Sequence, residues 1–302
     1  MTKKNEGLEG ILLLDKPLYL SSNKALQIVK KLLGAKKAGH TGTLDPLATG
    51  MLPICFGQAT KYAEYLLTAD KTYQVKAQLG KRTATGDSEG EVIATRQVPL
   101  ISLNDLEKLL DHFRGEIEQI PPMFSALKQA GQPLYKLARE GRTVNRPPRK
   151  VTIYRLEILD FSNDTISLEL TCSKGCYVRT IIDDLGELIG CGAYITELRR
   201  TRISHFSPEK MIPLEFLQQQ IKSFSLDTLN QYLIPSHLAL THLPLVTLSN
   251  DDVARIQQGK MVMIEDAVTK GVVVLLNGNQ EFLGLGEIQQ ERQLKPKRLQ
   301  TT

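Results

Sequence analysis

The sequence Gly39-His40-Thr41-Gly42-Thr43-Leu44-Asp45-Pro46-Leu47-Ala48-Thr49-Gly50 places one carboxylate within a run of three glycines, three threonines and a proline. Glycine lets the backbone adopt positive φ and approach a ligand closely, and the residue before a proline is restricted to extended conformations. The pattern therefore predicts a stiff, tightly turned loop. Loops on a rigid scaffold often carry catalytic side chains. Asp45 is a candidate catalytic residue, whereas a lone Asp-Pro would indicate an ordinary surface turn.

The segments around this loop alternate between strand and helix patterns. Gly10–Asp15 predicts a short buried strand, Ser22 is predicted to cap a helix, and Leu52–Phe56 predicts a second strand. Alternating apolar side chains predict a further strand that carries Tyr73, Val75, Ala77 and Leu79 on one face. Because the strands and helices follow no regular βαβ repeat, the sequence predicts an α+β fold rather than a doubly wound parallel sheet.

Composition divides the 302-residue chain into regions. With 41% hydrophobic and 24% charged residues it has an ordinary globular balance. Residues 121–150 combine several prolines with strong positive charge, which predicts an insertion that projects from the core and becomes ordered on binding. In residues 241–302, short strand patterns separated by turns such as Asn277-Gly278 predict a small β-barrel-like module. The predicted domains are therefore 1–240, with the insertion at 121–150, and 241–302.

Several classes of protein are disfavoured. The longest apolar runs, Ile11–Leu14 and Val272–Leu276, are far shorter than a membrane span, and the polar N-terminal segment lacks a secretory signal, so we expect a cytoplasmic protein without membrane contact. Four scattered cysteines do not form a disulfide framework or match zinc-ligand spacing: Cys55, Cys172, Cys176 and Cys191. No metal site and no cofactor site is predicted.

The distribution of charge indicates a polyanionic ligand. The net charge is +5, and residues 128–150 alone contribute +6, which leaves about −1 for the rest of the chain. The basic residues of this segment are Lys128, Lys136, Arg139, Arg142, Arg146, Arg149 and Lys150. A second basic block leads into the opening loop and comprises Lys24, Lys30, Lys31, Lys36 and Lys37. Two basic blocks on a near-neutral background favour nucleic acid as the partner, the alternative being solvated faces.

A nucleophilic aspartate must be ionised and needs a cation beside it. The candidate cation is Arg179, in Ser173-Lys174-Gly175-Cys176-Tyr177-Val178-Arg179-Thr180. If this segment is extended, Tyr177 and Arg179 point to one face, although a core tyrosine and a surface arginine fit equally well. Tyr73 is either a core aromatic or a ring at the cleft rim that stacks on a base and offers a phenol for proton transfer. Lys16 fits a turn before Pro17, and Lys61 fits a solvated helix start.

Taken together, Gly39–Gly50, Leu14-Asp15-Lys16-Pro17, Ser173–Thr180 and the spacing to Tyr73 resemble the TruB-type tRNA pseudouridine synthases, from Gly10 to about Leu299. The resemblance implies the pseudouridine-synthase fold, a central mixed, largely antiparallel sheet flanked by helices and loops. The last sixty residues resemble the small, β-barrel-like PUA module that binds RNA. The resemblance also implies a monomer that binds the T stem-loop of tRNA without a cofactor, and no protein partner is evident.

The resemblance implies that uridine 55 in the T loop of tRNA is flipped out and isomerised to pseudouridine. On this analogy Asp45 is the nucleophile and Arg179 pairs with it. Tyr73 would stack on the flipped base and take part in proton transfer from C5. Whether Asp45 attacks C1′ of the ribose, adds to C6 of the base or acts through a glycal-type route stays open.

The resemblance also assigns substrate contacts. His40 would insert where the extruded base had been, and Tyr177 and Leu198 would line the uracil pocket. Lys16 and Lys61 are further candidate contacts. The basic residues from Lys128 to Lys150 and the C-terminal module would hold the arms of the tRNA, by shape more than by sequence.

Three residues depart from the family pattern: Tyr19 stands where the family usually has Gly, Ala84 where it has Asp, and Cys176 where it has Thr. Two other functions fit part of the sequence. An RNA-binding folding helper would use the basic segments and leave Asp45 dispensable. A phosphate-handling enzyme could use the Gly-Thr-rich loop, but this loop lacks the Lys-Ser/Thr ending of a P-loop and the Asp-x-Asp spacing of aspartyl-phosphate enzymes.

Overall fold

The computed structural model describes residues 7–220, 226–264, 270–289 and 292–300. Its strands are β1 (Gly10–Lys16), β2 (Ala38–His40), β3 (Ala48–Phe56), β4 (Lys71–Leu79), β5 (Lys81–Thr83), β6 (Val92–Thr95), β7 (Gly115–Gln119), β8 (Lys128–Gln129), β9 (Gln132–Pro133), β10 (Arg149–Phe161), β11 (Thr165–Cys172), β12 (Ala193–Ile203), β13 (Ile212–Pro213), β14 (Leu245–Thr247), β15 (Val262–Met263), β16 (Gly271–Leu276), β17 (Phe282–Ile288) and β18 (Gln293–Leu299). Its α-helices are α1 (Ser22–Leu32), α2 (Ala63–Thr68), α3 (Leu103–Leu110), α4 (Leu134–Arg139), α5 (Val178–Ile189), α6 (Leu214–Gln220), α7 (Leu226–Asn230) and α8 (Asn250–Gln257).

A nine-stranded sheet forms the centre of the molecule, in the order β13-β1-β3-β12-β4-β11-β10-β7, with β2 paired to β3. The β1–β13 and β3–β12 pairs are parallel and the others are antiparallel. Helices pack on this sheet without a repeated βαβ unit. The predicted α+β fold with a mixed, largely antiparallel sheet is confirmed. None of the helices in the described ranges has the length and apolar character needed to cross a membrane.

Strand β1 is buried on both faces and therefore joins two hydrophobic cores. Leu12 and Leu14 pack with the apolar side chains of α1 and α5, whereas Ile11 and Leu13 pack on the opposite side of the sheet. Such burial explains why the sequence of β1 is a continuous apolar run rather than an alternating one. The second core also contains Val274, Leu276 and Leu285 from the C-terminal part of the chain.

The C-terminal strands form a curled five-stranded sheet in the order β14-β16-β17-β18-β15. The predicted hairpin at Asn277-Gly278 is confirmed, because β16 and β17 pair antiparallel on either side of it. In the turn, the Asn277 side-chain oxygen accepts hydrogen bonds from the backbone N–H groups of Asn279 and Glu281. This sheet is packed on the rest of the molecule, with the rings of Tyr62 and Phe282 5.2 Å apart at an edge-on angle. The boundary near residue 240 stays a prediction, since the two parts share one apolar core.

Residues 121–150 contain a short hairpin of β8 and β9 followed by α4. Leu134 and Leu137 of α4 are buried, and Tyr135 N–H donates to the carbonyl of Ser125. Arg149 and Lys150 differ from the prediction, because they already pair with β7 as the first residues of β10. They belong to the central sheet and not to the projecting segment.

Three local predictions are corrected. Helix α5 begins at Val178, so Arg179 lies in its first turn and the predicted extended Tyr177–Arg179 segment is wrong. Ser21, not Ser22, is the N-cap of α1, and its side chain accepts from Lys24 N–H. The loop around Asp45 is shorter than the predicted Gly39–Gly50. It spans residues 41–47, because β2 ends at His40 and β3 already begins at Ala48.

Candidate active site

The loop at residues 41–47 holds Asp45 between β2 and β3, and a serine of α1 fixes the residue before it. The buried Ser22 hydroxyl accepts from Leu44 N–H at 2.8 Å and donates to the Leu44 carbonyl at 3.0 Å. A helix-start serine normally competes for its own backbone. Ser22 is free to bind the loop because Ser21 already caps the helix.

Two buried cations fix the loop on either side of Asp45. Arg200, 1% exposed, donates through Nη2 to the Gly42 carbonyl at 2.8 Å. Lys16, 0% exposed, donates through Nζ to the Pro46 carbonyl at 3.3 Å. Hydrogen bonds from charged donors are stronger than neutral ones. The backbone that carries Asp45 is therefore anchored before and after the carboxylate.

The glycines of the opening motif have different roles. Gly50 adopts φ +97°, and a Cβ there would lie 2.2 Å from the Arg200 carbonyl. Gly42 adopts φ +71°, and its Cβ would lie 3.3 Å from Arg200 Nη1. A Cβ on Gly39 would meet nothing within 4 Å. Close approach to Arg200 thus requires glycine at two of the three positions.

Arg179 forms an ion pair with Asp45, with Nε 2.9 Å from Oδ2. Its terminal nitrogens donate to two backbone carbonyls, Nη1 to Thr85 at 2.9 Å and Nη2 to Phe124 at 2.8 Å. The guanidinium is 5% exposed. It is therefore oriented by the fold and presents Nε to the carboxylate.

Asp87 is a second carboxylate beside the same arginine, with Oδ2 3.8 Å from Arg179 Nη1. It is 3% exposed and accepts from the Thr85 hydroxyl at 2.5 Å and from Glu89 N–H at 3.1 Å. Sequence reasoning missed this residue, although its place in a Thr-x-Thr-Gly-Asp turn was a local signal. One buried cation thus lies between two carboxylates.

The pKa of Asp45 reflects these neighbours. Burial raises the pKa of Asp45, the Arg179 charge and hydrogen bond lower it, and the Asp87 charge raises it. The net effect is a pKa above the ordinary carboxyl value. Asp45 therefore combines an ion pair, which favours ionisation, with an environment that makes the carboxylate more basic.

A pocket of about 330 Å³ brings together five of the predicted site residues: Asp45, Tyr73, Tyr177, Arg179 and Leu198. Burial raises the pKa of the Tyr73 phenol, and the Arg200 charge opposes that shift, so the phenol stays protonated at neutral pH. Leu198 is 7% exposed and contributes an apolar wall. The pocket offers a carboxylate, a phenol and flat or apolar surfaces, a combination suited to a planar heterocycle.

Gln119 fixes the backbone of Tyr177 at the pocket wall. Its Oε1 accepts from Tyr177 N–H at 2.8 Å, and its Nε2 donates to the Tyr177 carbonyl at 3.1 Å. Gln119 is 4% exposed and comes from β7. No sequence signal identified it, because the contact joins residues 58 positions apart.

A second, larger cavity of about 800 Å³ also borders Asp45, and His40 lines it together with Tyr135 and Arg139 of the insertion. His40 therefore does not share the smaller pocket. Burial and the Arg200 charge lower the pKa of His40, which favours the neutral imidazole. Its Nδ1 is buried and has no hydrogen-bond partner in the described part of the chain.

Lys16 and Lys61 bind backbone carbonyls in this structure, and neither lines the two cavities at Asp45. Lys16 is fully buried, and its ammonium is used by the carbonyls of Pro17, Leu20 and Pro46. Its effect on the site is through the loop. Lys61 donates to the Leu299 carbonyl at 3.0 Å, at the contact with the C-terminal sheet, and it lines neither cavity. The predicted substrate contacts of Lys16 and Lys61 stay predictions.

The basic residues of the insertion are mostly exposed and differ in their partners, and Arg142 lies 3.5 Å from Glu140. The side chains of Lys128, Lys136, Arg139 and Arg142 are exposed. Arg146 donates to the Pro121 carbonyl at 3.0 Å, and Lys150 pairs with Glu116 at 2.8 Å. Arg149 is the first residue of β10, and its side chain is exposed.

Within the described ranges, no group of three or more His, Cys, Asp or Glu side chains is arranged to hold a metal ion.

Comparison with known proteins gives consistent matches along the chain. Residues 30–178 match the model of the TruB family pseudouridylate synthase N-terminal domain. Residues 179–241 match the tRNA pseudouridylate synthase B C-terminal domain, and residues 244–299 match the C-terminal model of pseudouridine synthase II TruB.

Full-length relatives and solved structures extend these matches. The chain is 50% identical over 292 residues to tRNA pseudouridine synthase B of Coxiella burnetii strain Dugway 5J108-111, covering 97% of this chain and 94% of the relative. It is equally similar to the Pseudomonas fluorescens Pf-5 protein of that name, covering 97% and 95%. An H/ACA RNP bound to a substrate RNA containing 2'-deoxyuridine includes a chain that matches with TM-score 0.74 at 22% identity, covering 97% of this chain and 85% of that one. A chain of a Cbf5-Nop10-Gar1 complex matches with TM-score 0.73 at 24% identity, covering 100% and 90%. These two structures share the fold.

Proposed function

Because the chain belongs to the TruB family of pseudouridine synthases, we propose that it isomerises uridine 55 in the T loop of tRNA, with Asp45 as the nucleophile. Family membership makes the chain an enzyme that converts uridine to pseudouridine in tRNA. The position in the T loop and the roles of individual residues are inferred. Bases in loops are less strongly stacked than bases in a helix, so flipping one out costs less.

The ion pair between Asp45 and Arg179 is the observation that carries this proposal. It sets a carboxylate with a raised pKa beside a pocket that also contains Tyr73 and Tyr177. A more basic carboxylate is a stronger nucleophile, provided that a cation keeps it ionised at neutral pH. At Asp45 the pKa is raised, and the Arg179 cation beside it favours the ionised form.

In the reaction, the C1′–N1 bond breaks and a C1′–C5 bond forms within the same nucleotide. No atom is gained or lost apart from exchanged protons. On the route in which Asp45 attacks C1′, the electron pair of the C1′–N1 bond passes to the base. After C5 has formed its new bond and displaced Asp45, the C5 proton is removed and N1 gains one. The Tyr73 ring stacks on the base, and its phenol takes part in this proton transfer.

The larger cavity that also borders Asp45 suits the RNA around the flipped nucleotide. His40 lines that cavity and, as a neutral imidazole, is suited to stack where the base has left. The exposed basic residues of the insertion would contact phosphates: Lys128, Lys136, Arg139 and Arg142, with Arg146, Arg149 and Lys150 nearer to the central sheet.

Tritium release tests the proposal. A tRNA transcript labelled at C5 of its uridines should release label to water with the unaltered enzyme, and Asp45→Asn should abolish release while tRNA binding persists. A transcript with cytidine at position 55 should release little. Binding without release by the unaltered enzyme would overturn the assignment, and full release from the cytidine-55 transcript would overturn the position.

A further inference from the structure

Three cations line the 330 Å³ pocket although each is almost fully buried. Arg179, Arg200 and Lys71 are 5%, 1% and 7% exposed. Removing a charge from water is costly unless a partner compensates for it. Arg179 has such partners in Asp45 and Asp87.

Arg200 is compensated by carbonyl groups and not by a carboxylate. Its Nε donates to the Met51 carbonyl and its Nη2 to the Gly42 carbonyl, both at 2.8 Å. Among the residues that the structure describes, no salt bridge joins Arg200 to an acid. These hydrogen bonds leave the full positive charge in place at the pocket wall.

Lys71, like Arg200, is hydrogen-bonded to backbone carbonyls and not to a carboxylate. Its ammonium donates to the carbonyls of Leu66 at 3.3 Å and Leu67 at 2.8 Å, and also to that of Ala69. Within the described ranges it forms no salt bridge either. Three neutral acceptors therefore satisfy its donors without neutralising its charge.

Other charges around Lys71 set its protonation. Burial and the neighbouring Arg200 and Lys174 charges lower the pKa of Lys71 to about 8, whereas Cys172 and Asp70 raise it. A lysine is charged below its pKa, so Lys71 is mostly cationic at neutral pH. The end of the pocket near Lys71 and Arg200 thus carries excess positive charge.

The sheet register places Arg200 and Lys71 on the same face as Tyr73, at the wall of the pocket. Arg200 is directly opposite Tyr73 across the β12–β4 pair, and Lys71 precedes Tyr73 by two residues on β4. Directly opposite residues, and residues two apart on a strand, point to the same face. A base stacked on Tyr73 would therefore lie beside both charges.

We propose that Arg200 and Lys71 stabilise the negative charge that the uracil base acquires during isomerisation. The inference rests on the proposed function, since it requires a uridine in this pocket. Attack at C1′ gives the base the electron pair of the C1′–N1 bond while the Asp45 carboxylate becomes a neutral ester. Addition of Asp45 to C6 instead places the charge on O4. In each case an anion develops beside two preoriented, desolvated cations, where such interactions are strongest.

A substrate that needs less stabilisation tests this role. Fluorine at C5 withdraws electrons and stabilises negative charge on the ring, so 5-fluorouridine should depend less on the two cations than uridine does. Single-turnover rates at saturating tRNA would be followed by chromatographic separation and mass spectrometry of the digested nucleosides, because uridine and pseudouridine have the same mass. Since 5-fluorouridine has no C5 proton to lose, its reaction would be followed as loss of the starting nucleoside. Arg200→Gln and Lys71→Met should slow the uridine reaction by roughly 10²–10³-fold, the loss typical of removing one such stabilising group. The 5-fluorouridine reaction should slow at least tenfold less.

Two variants separate charge from structure. Arg200→Lys keeps the charge and should recover most of the loss seen in Arg200→Gln. Arg199→Gln is the matched control, because Arg199 is the neighbouring arginine on β12 and pairs with Asp15 at 2.7 Å outside the pocket. It should leave the ratio of the two substrates unchanged. Equal losses on both substrates in Arg200→Gln and Lys71→Met would overturn the proposal.

The unaltered enzyme provides a measurement that does not depend on the folding of variants. Its uridine rate should fall as pH rises through about 8, where Lys71 loses its proton, and the 5-fluorouridine rate should fall less. A pH profile identical for the two substrates would count against a role for the charge. An unaltered enzyme that converts neither substrate would instead refute the proposed function.

Discussion

Arg179 holds Asp45 through Nε at 2.9 Å while its other nitrogens are bound to backbone carbonyls. The arginine is therefore oriented without the help of Asp45. If the carboxylate forms a bond to substrate, as we propose, the guanidinium keeps its place and can receive the carboxylate again. This preorientation avoids the cost of rearranging a charged group during the reaction.

The pH profile of activity should report the charges around Asp45. Its pKa lies above the ordinary carboxyl value, and the proposed role as nucleophile requires the ionised form, so activity should be present above this raised pKa and lost as pH falls through it. Asp87→Asn removes a neighbouring negative charge and should shift the acid limb to lower pH. Arg179→Met should shift it to higher pH. Single-turnover rates against pH measure both shifts.

The control for these shifts is Asp160→Asn, an exposed carboxylate on β10 that lies outside the pocket. It should leave the acid limb unchanged. If Asp87→Asn and Arg179→Met shifted the acid limb of the pH profile in the same direction, the assignment of that limb to Asp45 would be contradicted.

The two serines at the start of α1 separate loop positioning from helix stability. Ser22→Ala leaves the Leu44 N–H and carbonyl without their partner, which should cost about 1–3 kcal/mol of stability. It should also lower the single-turnover rate of bound tRNA at least tenfold, because small displacements of a reacting group are costly. Ser21→Ala removes the helix cap and should cost about 1 kcal/mol while the rate changes little. Equal rates for the two variants would show that Ser22 does not position Asp45.

The glycines of the opening motif should differ sharply in how well they tolerate substitution by alanine. Gly50→Ala combines a left-handed backbone, worth about 1–2 kcal/mol, with a backbone clash, worth about 1–3 kcal/mol. Gly39→Ala has open space and should leave the thermal melting temperature and activity nearly unchanged. Thermal melts of the two variants would decide, and similar losses would contradict the close approach of Arg200 to Gly50.

Local patterns predicted the parts of the site that depend on local structure. The Gly- and Pro-rich run predicted a turned loop with Asp45, and clean alternation predicted β4 with Tyr73 on its inner face. Both signals depend on neighbouring residues. Ser22 and Gln119 were missed as functional residues because their partners lie elsewhere in the fold. Asp87 lies in a recognisable local turn, but its contact with the distant Arg179 could not be predicted from that turn.

Arg200 shows why the remaining residues could not be predicted. Alternation continued from Ile195 would point Arg199 inward and Arg200 outward. Irregularities in the β12–β4 pairing after Ile195 shift the phase by one residue, so Leu198 and Arg200 are the buried ones. A bulge of this kind leaves no sequence signal as clear as a glycine or a proline.

Tyr19 occupies a left-handed conformation with φ +59°, and its side chain is 73% exposed. Tyr19→Gly should therefore stabilise the fold by about 0.5–1 kcal/mol, since relief of roughly 1–2 kcal/mol exceeds the entropy that glycine adds to the unfolded chain. Tyr19→Val should destabilise it, because a β-branched residue is poorly accommodated there. Chemical denaturation of both variants measures the difference, and destabilisation by glycine would show that the tyrosine ring contributes more than the strain costs.

Salt dependence of tRNA binding should distinguish free from paired lysines. Lys136 is exposed on α4, whereas the ammonium of Lys150 is 2.8 Å from Glu116. A lysine that contacts a phosphate releases about one counterion, so Lys136→Gln should weaken binding and reduce the slope of log affinity against log salt by roughly 1. Lys150→Gln should reduce the slope less, because its charge is already partly neutralised. Affinities at four or more salt concentrations give the slopes, and a larger reduction in Lys150→Gln would place the phosphate contacts on β10 and not on α4.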